Sequence, residues 1–542
     1  MTDTMIKGEK VNVAMNSMSR RMSRQFAVSM QACVHCGVCS DSCQFFLATD
    51  DPKMTPAYKA ELLRKLYKRR YDWMGRLFPF WVDAKKPNEG LLAELYDAVW
   101  GSCTMCRRCT FMCPMGVDTA LLTRTARGML TDCNQIPKGL KDVVDRHLNT
   151  GNTVGISRED FIDTVKWIET ELQKDIGDPG VKIPIDKVGA KYLLTLNPRE
   201  VRFYPLLLLT TFKVLHAARE NWTLSSNVWD ATNYALFSGD DAAAREICRR
   251  LVEEAERLKV DAIAMTECGH GYRALRFEAD NWLGRRIGVE VKSISEIVPD
   301  YIRQGRIKLD PSRNKESITY HDPCNQARSG GLIDEARHLL KHAVEDFREM
   351  NPSGVNNICC GGGGGALTMS EFNDRRLEVG RIKAEQIRAT GAKIVATSCH
   401  NCVEQIFELN RHYNLGIRVH NLCEIVAAAV VLPKREVVTA VGVDESGYLR
   451  DPSSWDRKLA QVLASELRVG ELTDEHWRIL EFVREWNTTY KSWPVPQLTR
   501  RRVGIDPRRL FHGGPELVFK VAGLSNPGNR IAWDTREPGD SN

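Results

Sequence analysis

The 542-residue sequence lacks any long hydrophobic run. No uncharged apolar stretch reaches the ~18 residues that a membrane-crossing helix requires. The best candidates, Tyr204–Phe212 and Ile425–Leu432, have the length of core elements. Contact with a bilayer is therefore expected to be peripheral only. The sequence also lacks a strong excess of one charge. Its 76 basic and 70 acidic residues leave +6, too little for nucleic-acid binding to be the default expectation. Arg20-Arg21 and Arg24 are expected to form a solvated basic face and not an export signal, because the segment after them, Gln25–Met30, is too short and too polar for one. The sequence lacks the composition of a disordered chain: 43% of residues are hydrophobic and 27% charged, the balance of a globular protein of several domains. Cysteine is missing from two long stretches, between Cys133 and Cys248 and after Cys423.

Elsewhere cysteine is abundant. There are 17, an odd number that argues against a plain disulfide framework. Eight lie between Cys33 and Cys113, and five between Cys324 and Cys402. Without an export signal a reducing, cytoplasmic compartment is expected, where closely spaced thiols read as metal ligands.

The chain divides by pattern into a multidomain α+β protein. Residues 1–30 are polar and Met-rich and read as a flexible start. Residues 31–150 hold two cysteine groups around a helix from about Thr55 to Arg70. Residues 151–200 read as a linker with short helices. Residues 201–433 alternate helix and strand, and they repeat. Helix Asp241–Leu258, strand Val260–Met265 and Thr266-Glu267-Cys268-Gly269-His270-Gly271 are echoed by helix Glu371–Thr390, strand Lys393–Ala396 and Thr397-Ser398-Cys399-His400-Asn401-Cys402. Two copies of one α/β unit are predicted, only the second fully equipped. Residues 434–542 read as a small, mainly helical domain, with a strand at Glu436–Val443, a turn at Asp444-Glu445-Ser446-Gly447 and helices at Ser453–Leu467 and Thr473–Trp486.

The first cysteine group is Cys33-x2-Cys36-x2-Cys39-x3-Cys43, and the second Cys103-x2-Cys106-x2-Cys109-x3-Cys113-Pro114. Three cysteines at this spacing wrap one face of a cubane [4Fe–4S] cluster, and the fourth serves the other cluster of a pair. One cubane would take Cys33, Cys36, Cys39 and Cys113, the other Cys103, Cys106, Cys109 and Cys43. Zinc sites use other spacings. Gln44 stands where the first group would carry proline.

The third group is Cys324-x34-Cys359-Cys360-Gly361-x37-Cys399-x2-Cys402, with Cys359-Cys360 leading into the run Gly361–Gly365. Adjacent cysteines suit two neighbouring irons, and five thiolates for four irons suggest a cluster more open than a cube. This pattern resembles the cysteine-rich CCG domain of heterodisulfide reductases. Preceded by two ferredoxin motifs, it resembles the HdrD/DsrK type of subunit over residues 20–430. The resemblance implies a noncubane [4Fe–4S] cluster on Cys324, Cys359, Cys360, Cys399 and Cys402, where a disulfide or trisulfide is reduced. HdrD-type chains carry two such motifs, whereas here Phe237-Ser238-Gly239 and Gly271 replace the first. One special cluster is the DsrK-like arrangement. His321 and His400 neighbour the ligands and are candidate proton donors to a departing thiolate. Cys133, Cys248 and Cys423 read as structural thiols.

Residues 435–530 resemble the DsrC/TusE sulfur carriers through Asp444–Leu449, Leu472–Trp477, Gly513-Gly514-Pro515 and Val521–Leu524. Phe519 and about Arg530 stand where the carrier cysteines belong, so docking or assembly is expected in place of thiol chemistry. Arg500, Arg501, Arg502, Arg508 and Arg509 suit a solvated face or a protein-docking patch better than a DNA-binding helix. The expectation is an oxidoreductase acting on sulfur groups. Its partner would be a quinol-linked membrane cytochrome b-type subunit at the inner face of the membrane, or a flavoprotein, and a DsrC-type carrier a further one. The rival readings are an iron–sulfur subunit of a lactate, glycolate or glycerol-3-phosphate dehydrogenase, or a non-catalytic scaffold recruiting a carrier.

Overall fold

The computed structural model describes residues 8–266, 268–432, 442–444, 446–467, 469–511, 515–526 and 533–534. The expected strand Glu436–Val443 falls outside the described residues up to 441, as do Glu445, Gly513, Gly514 and Arg530. Two compact units form. The first takes the residues up to Leu172 and Ile183–Val431; the second takes Gln173–Lys182 and the described residues from Leu432 onward.

The start of the first unit departs from expectation. Residues 9–32 are two helices, not a flexible lead. Glu9–Arg20 buries Ala14, Met15 and Met18. Arg24–Ala32 buries Phe26 and Met30, and the Ser23 side chain accepts a hydrogen bond from the Phe26 amide at its start. Both pack on the helix Thr119–Asp132. The intervening helix runs Pro56–Tyr71, with Thr55 as N-cap and proline in its first turn. The segment expected as a linker instead holds a 19-residue helix, Arg158–Ile176, and the first strand already begins at Tyr192. The two cysteine groups and the α/β repeats share one compact unit, not separate domains joined by a linker.

The duplication is explicit in the sheets. Strands β1 (Tyr192–Thr195), β2 (Trp222–Thr223), β3 (Ala262–Met265) and β4 (Glu290–Ser293) form an all-parallel sheet of order β2-β1-β3-β4. Strand β5 (Lys308–Leu309) leads on to β6 (Ile318–Tyr320), β7 (Phe347–Arg348), β8 (Ile394–Thr397) and β9 (Arg418–Asn421), again all parallel, of order β7-β6-β8-β9. Strand β10 (Val430–Val431) returns antiparallel to β5. In each sheet the chain reverses direction between the two central strands. In open parallel sheets that switch point opens a crevice beyond the strand ends, where ligands bind. The helix expected over Glu371–Thr390 is broken into Asn373–Val379 and Arg381–Thr390. At Gly380 a Cβ would lie 2.4 Å from the Leu409 side chain, so any larger residue there would collide with the neighbouring helix.

In the second unit Val443 bridges Leu449 in antiparallel fashion across the expected turn. Helices follow at Arg457–Glu466, Asp474–Tyr490, Pro496–Val503, Pro507–Leu510 and Pro515–Val521. Asp474–Tyr490 is capped by Thr473, with His476 hydrogen-bonded back to it. The core gathers Tyr448, Ile479, Leu480, Val483, Phe511 and Phe519.

Candidate functional site

The two ferredoxin-type groups are one loop built twice, 70 residues apart. Cys33 ends a helix, His35 and Gly37 adopt left-handed backbone, and a short helix Val38–Asp41 follows. In the copy, Met105 and Arg107 occupy the same left-handed positions before Arg108–Met112. Two left-handed residues in each loop curl the chain so that successive sulfurs face one centre. Three of the four are not glycine and cost about 1–3 kcal/mol each, strain that clusters at functional sites.

The loops line two cavities. One is lined by Cys33, Cys36, Cys39 and Cys113, with Pro56 and Ala60 from the long helix. The other is lined by Cys43, Cys103, Cys106 and Cys109, with Lys59. Burial pushes the Cys39, Cys43 and Cys109 thiols up. A hydrogen bond with Cys359, and then burial, does the same to Cys106.

A third cavity lies at the crevice between β6 and β8. Cys324 follows β6, Cys399 follows β8, and Cys359, Cys360 and Cys402 complete the set. Cys360 and Cys402 sulfurs are 3.4 Å apart. The crowded thiols split. Neighbouring thiols that hydrogen-bond to them pull Cys359 and Cys360 down and Cys399 down to about 6, and they hold Cys402 and Cys324 up. Acids packed this closely cannot all ionise without a cation among them. The glycine run makes the approach possible: at Gly364, with φ +65°, a Cβ would lie 2.8 Å from Thr104 backbone. Thr104 Oγ1 in turn sits 3.4 Å from the Cys359 sulfur. Cys106 and Cys359 thus bring the second and third cavities into contact.

The two expected histidines part company. His321 lines the third cavity, close to Cys360 and Cys402, and neither ring nitrogen has a hydrogen-bond partner among the described residues. Burial, then Lys383, keeps it neutral. His400 does not line the cavity. It is clamped between Glu200 (3.2 Å) and Glu404 (3.1 Å), which outweigh burial and raise it to about 10. The first repeat supplies residues that sequence reasoning passed over: His270 and Phe237 form part of the cavity wall. His270 is the repeat partner of Asn401, which also lines it, and the echoed motif was the available signal.

Four buried cations were also missed. Arg127 is fully buried and donates to the carbonyls of Val99 (2.9 Å), Cys103 (2.6 Å), Phe237 (3.1 Å) and Gly364 (2.6 Å). Arg328 donates to the carbonyls of Cys106 (2.7 Å) and Asn357 (2.5 Å). Lys59 donates to the carbonyls of Met54 (2.9 Å) and Ser102, and Lys383 to Gln386. None forms an ion pair among the described residues. A buried cation without a paired counter-charge is costly; burial, only partly offset by nearby thiols and, for Lys383, Asp322, lowers Arg127 to about 10 and Lys383 to about 8. Thiolate-bound iron–sulfur clusters, net negative, would supply the missing anions. The sulfur donors, the glycine cradle and these cations together fit such groups. The four remaining thiols, Cys133, Cys248, Cys268 and Cys423, are buried and line none of the three cavities.

Comparison with known proteins agrees with this layout. Family models match residues 29–117 (4Fe-4S dicluster domain), 318–407 (cysteine-rich domain) and 438–531 (DsrC like protein). The chain is 30% identical over 456 residues to the Hdr-like menaquinol oxidoreductase iron-sulfur subunit 2 of Archaeoglobus fulgidus, covering 76% of this chain and 81% of that one. It is 28% identical over 457 residues to the Hdr-like menaquinol oxidoreductase iron-sulfur subunit of Archaeoglobus profundus, with the same coverage. It is 26% identical over 411 residues to a dihydromethanophenazine:CoB--CoM heterodisulfide reductase subunit of Methanosarcina mazei, covering 75% and 95%.

Proposed function

The chain belongs to the family of heterodisulfide reductase-like iron–sulfur subunits, and from that premise we propose that it reduces, or in reverse oxidises, a disulfide or trisulfide at its third cysteine cavity. Cys33, Cys36, Cys39 and Cys113 hold one cubane [4Fe–4S] cluster. Cys103, Cys106, Cys109 and Cys43 hold a second. Cys324, Cys359, Cys360, Cys399 and Cys402 hold a noncubane one. When bound, these clusters supply one-electron relays to a site of sulfur–sulfur redox chemistry.

The observation that carries the reading is the meeting of all five cysteines in one buried cavity at the β6–β8 crevice, with Cys359 hydrogen-bonded to Cys106 of the neighbouring cavity. The chain's own residues act around it. His321, neutral and with both ring nitrogens unpartnered among the described residues, would be available to donate an N–H to a substrate sulfur entering the cavity. Phe237 excludes water from the opposite wall. His400 acts as a positioning residue, fixing the start of its helix through Glu200 and Glu404. Electrons enter at the first cavity, where Cys36 is exposed amid the exposed apolar side chains Val34, Val38, Phe111, Met112 and Met115. The donor is a quinol-linked membrane cytochrome b-type subunit at the inner face of the membrane, and a DsrC-type carrier is a candidate substrate. The second unit serves assembly. Its Phe519, only 2% exposed, is core structure where a carrier would present a thiol.

The test is anaerobic turnover of a small disulfide or trisulfide by the cluster-loaded chain with a reduced viologen as donor. Turnover that persists in Cys360→Ser would sink the assignment.

A further inference from the structure

We propose that residues 73–81 form a wedge that docks the chain on an anionic lipid bilayer. The segment follows the helix Pro56–Tyr71 and presents a run of large apolar side chains to solvent. Trp73 is 66% exposed, Leu77 67%, Phe78 47%, Phe80 92% and Trp81 75%. Soluble surfaces rarely expose so contiguous an apolar patch without a partner.

This is a built feature, not a frayed loop. Asp72 caps the short helix Trp73–Leu77 through the Met74 amide. Arg69 donates to the carbonyls of Gly75 and Arg76, both at 3.0 Å, and Lys68 to that of Val82 at 3.0 Å. Arg76 reaches back to the Arg70 carbonyl at 2.9 Å, and Lys65 pairs with Asp83 at 3.0 Å. At Gly75 a Cβ would meet the Lys68 carbonyl at 2.2 Å, so the loop is seated directly on the helix end. The backbone polar groups are thus satisfied inward, and the rings are turned outward. Phe78 and Trp81 stack at 5.4 Å and expose their outer faces together.

Charge selects the occupant. Residues 65–86 carry seven basic side chains, Lys65, Lys68, Arg69, Arg70, Arg76, Lys85 and Lys86, against only Asp72 and Asp83. Aromatic rings at headgroup depth flanked by lysine and arginine are the chemistry of an interfacial anchor on anionic lipid. The exposed rings and Leu77 all come from one nine-residue segment, which suits insertion among headgroups better than a broad protein footprint. Its base adjoins a cavity lined by Cys33, His35, Tyr71 and Trp73, so docking would bring the first cysteine group near the bilayer surface. Lipid binding requires no redox activity, and its failure would leave the catalytic reading untouched.

The full-length, cluster-loaded chain should be sedimented anaerobically with vesicles of phosphatidylcholine alone or with phosphatidylglycerol. Sedimentation with the anionic vesicles, reversed by salt, is expected, with quenching of tryptophan emission by brominated lipid. F80S/W81S should weaken binding at least about tenfold while iron content and circular dichroism stay unchanged. No binding of the unaltered chain to anionic vesicles at low salt, or equal binding by F80S/W81S, would overturn the proposal. If the same residues instead capture a solubilised membrane protein while vesicles are ignored, the wedge is a protein-docking surface and the lipid assignment fails.

Discussion

The two α/β repeats share strand order, parallel pairing and a central crevice, yet only the second gathers sulfur. The difference lies in a few side chains. In the first repeat the turn that would carry the paired cysteines survives as Phe237-Ser238-Gly239, with Gly239 still left-handed at φ +73°. Phe237 fills the volume two thiols would have used and faces the other repeat's cavity. Cys268 remains, 3.5 Å from His270, but its partner position is Gly271. One copy of the fold thus keeps its crevice without gathering thiols and serves as a wall for the other.

The comparison breaks most completely if the second repeat loses its ligands. Cys360→Ser should abolish disulfide turnover and lower iron from about twelve to about eight per chain, counting four irons per cluster. Anaerobic iron analysis together with the viologen assay checks both. A smaller, selective loss is expected from Cys113→Ser. It should disturb the cluster on Cys33, Cys36 and Cys39 and leave that on Cys103, Cys106 and Cys109 intact. Electron paramagnetic resonance showing only the latter altered would reverse the crossed assignment.

Arg127→Met tests the cations that the repeats share with the cysteine loops. Four buried carbonyls would lose their donor, each at about 1–3 kcal/mol, so destabilisation of about 3 kcal/mol or more is expected. Denaturant unfolding of the loaded protein measures it. Gly271→Cys, the obvious attempt to re-equip the first repeat, should gain no iron. A Cβ there would lie 2.0 Å from the Ala231 carbonyl, and such overpacking costs about 1–3 kcal/mol. A stable variant with additional iron would refute the view that this crevice is closed to metal. The smallest effect on the site is expected from deleting residues 434–542. Cluster content and turnover of a small disulfide should stay near normal while co-purification with partner subunits weakens. A faster rate with a free carrier protein and unchanged partner binding would make the second unit an inhibitor instead.

What the sequence disclosed was whatever chemistry fixes by spacing. The cysteine groups, the echo of Thr266–Gly271 in Thr397–Cys402, and the helices Pro56–Tyr71 and Asp241–Arg257 were legible because ligand geometry, strand ends and caps leave little freedom. The first two helices were not legible, because their buried faces are built from Ala14, Met15, Ser17 and Met18 in a polar context. The break at Gly380 was hidden because only a neighbouring helix demands it. The roles of His321 and His400 could not be separated from their positions near ligands, since side-chain direction depends on Glu200 and Glu404, the former some two hundred residues away. The buried cations Arg127, Arg328 and Lys59 were not legible, because their partners are backbone carbonyls, which carry no mark in sequence.

Arg127 also has a consequence for how the protein is made. Its guanidinium is anchored by carbonyls at Val99 and Cys103, but the remaining two lie at Phe237 and at Gly364, 237 residues downstream. During synthesis from the N-terminus the first cysteine loops emerge long before that last anchor exists. Until Gly364 is made, one of the four carbonyl partners of this buried guanidinium is missing, so its setting is completed only once most of the second repeat exists.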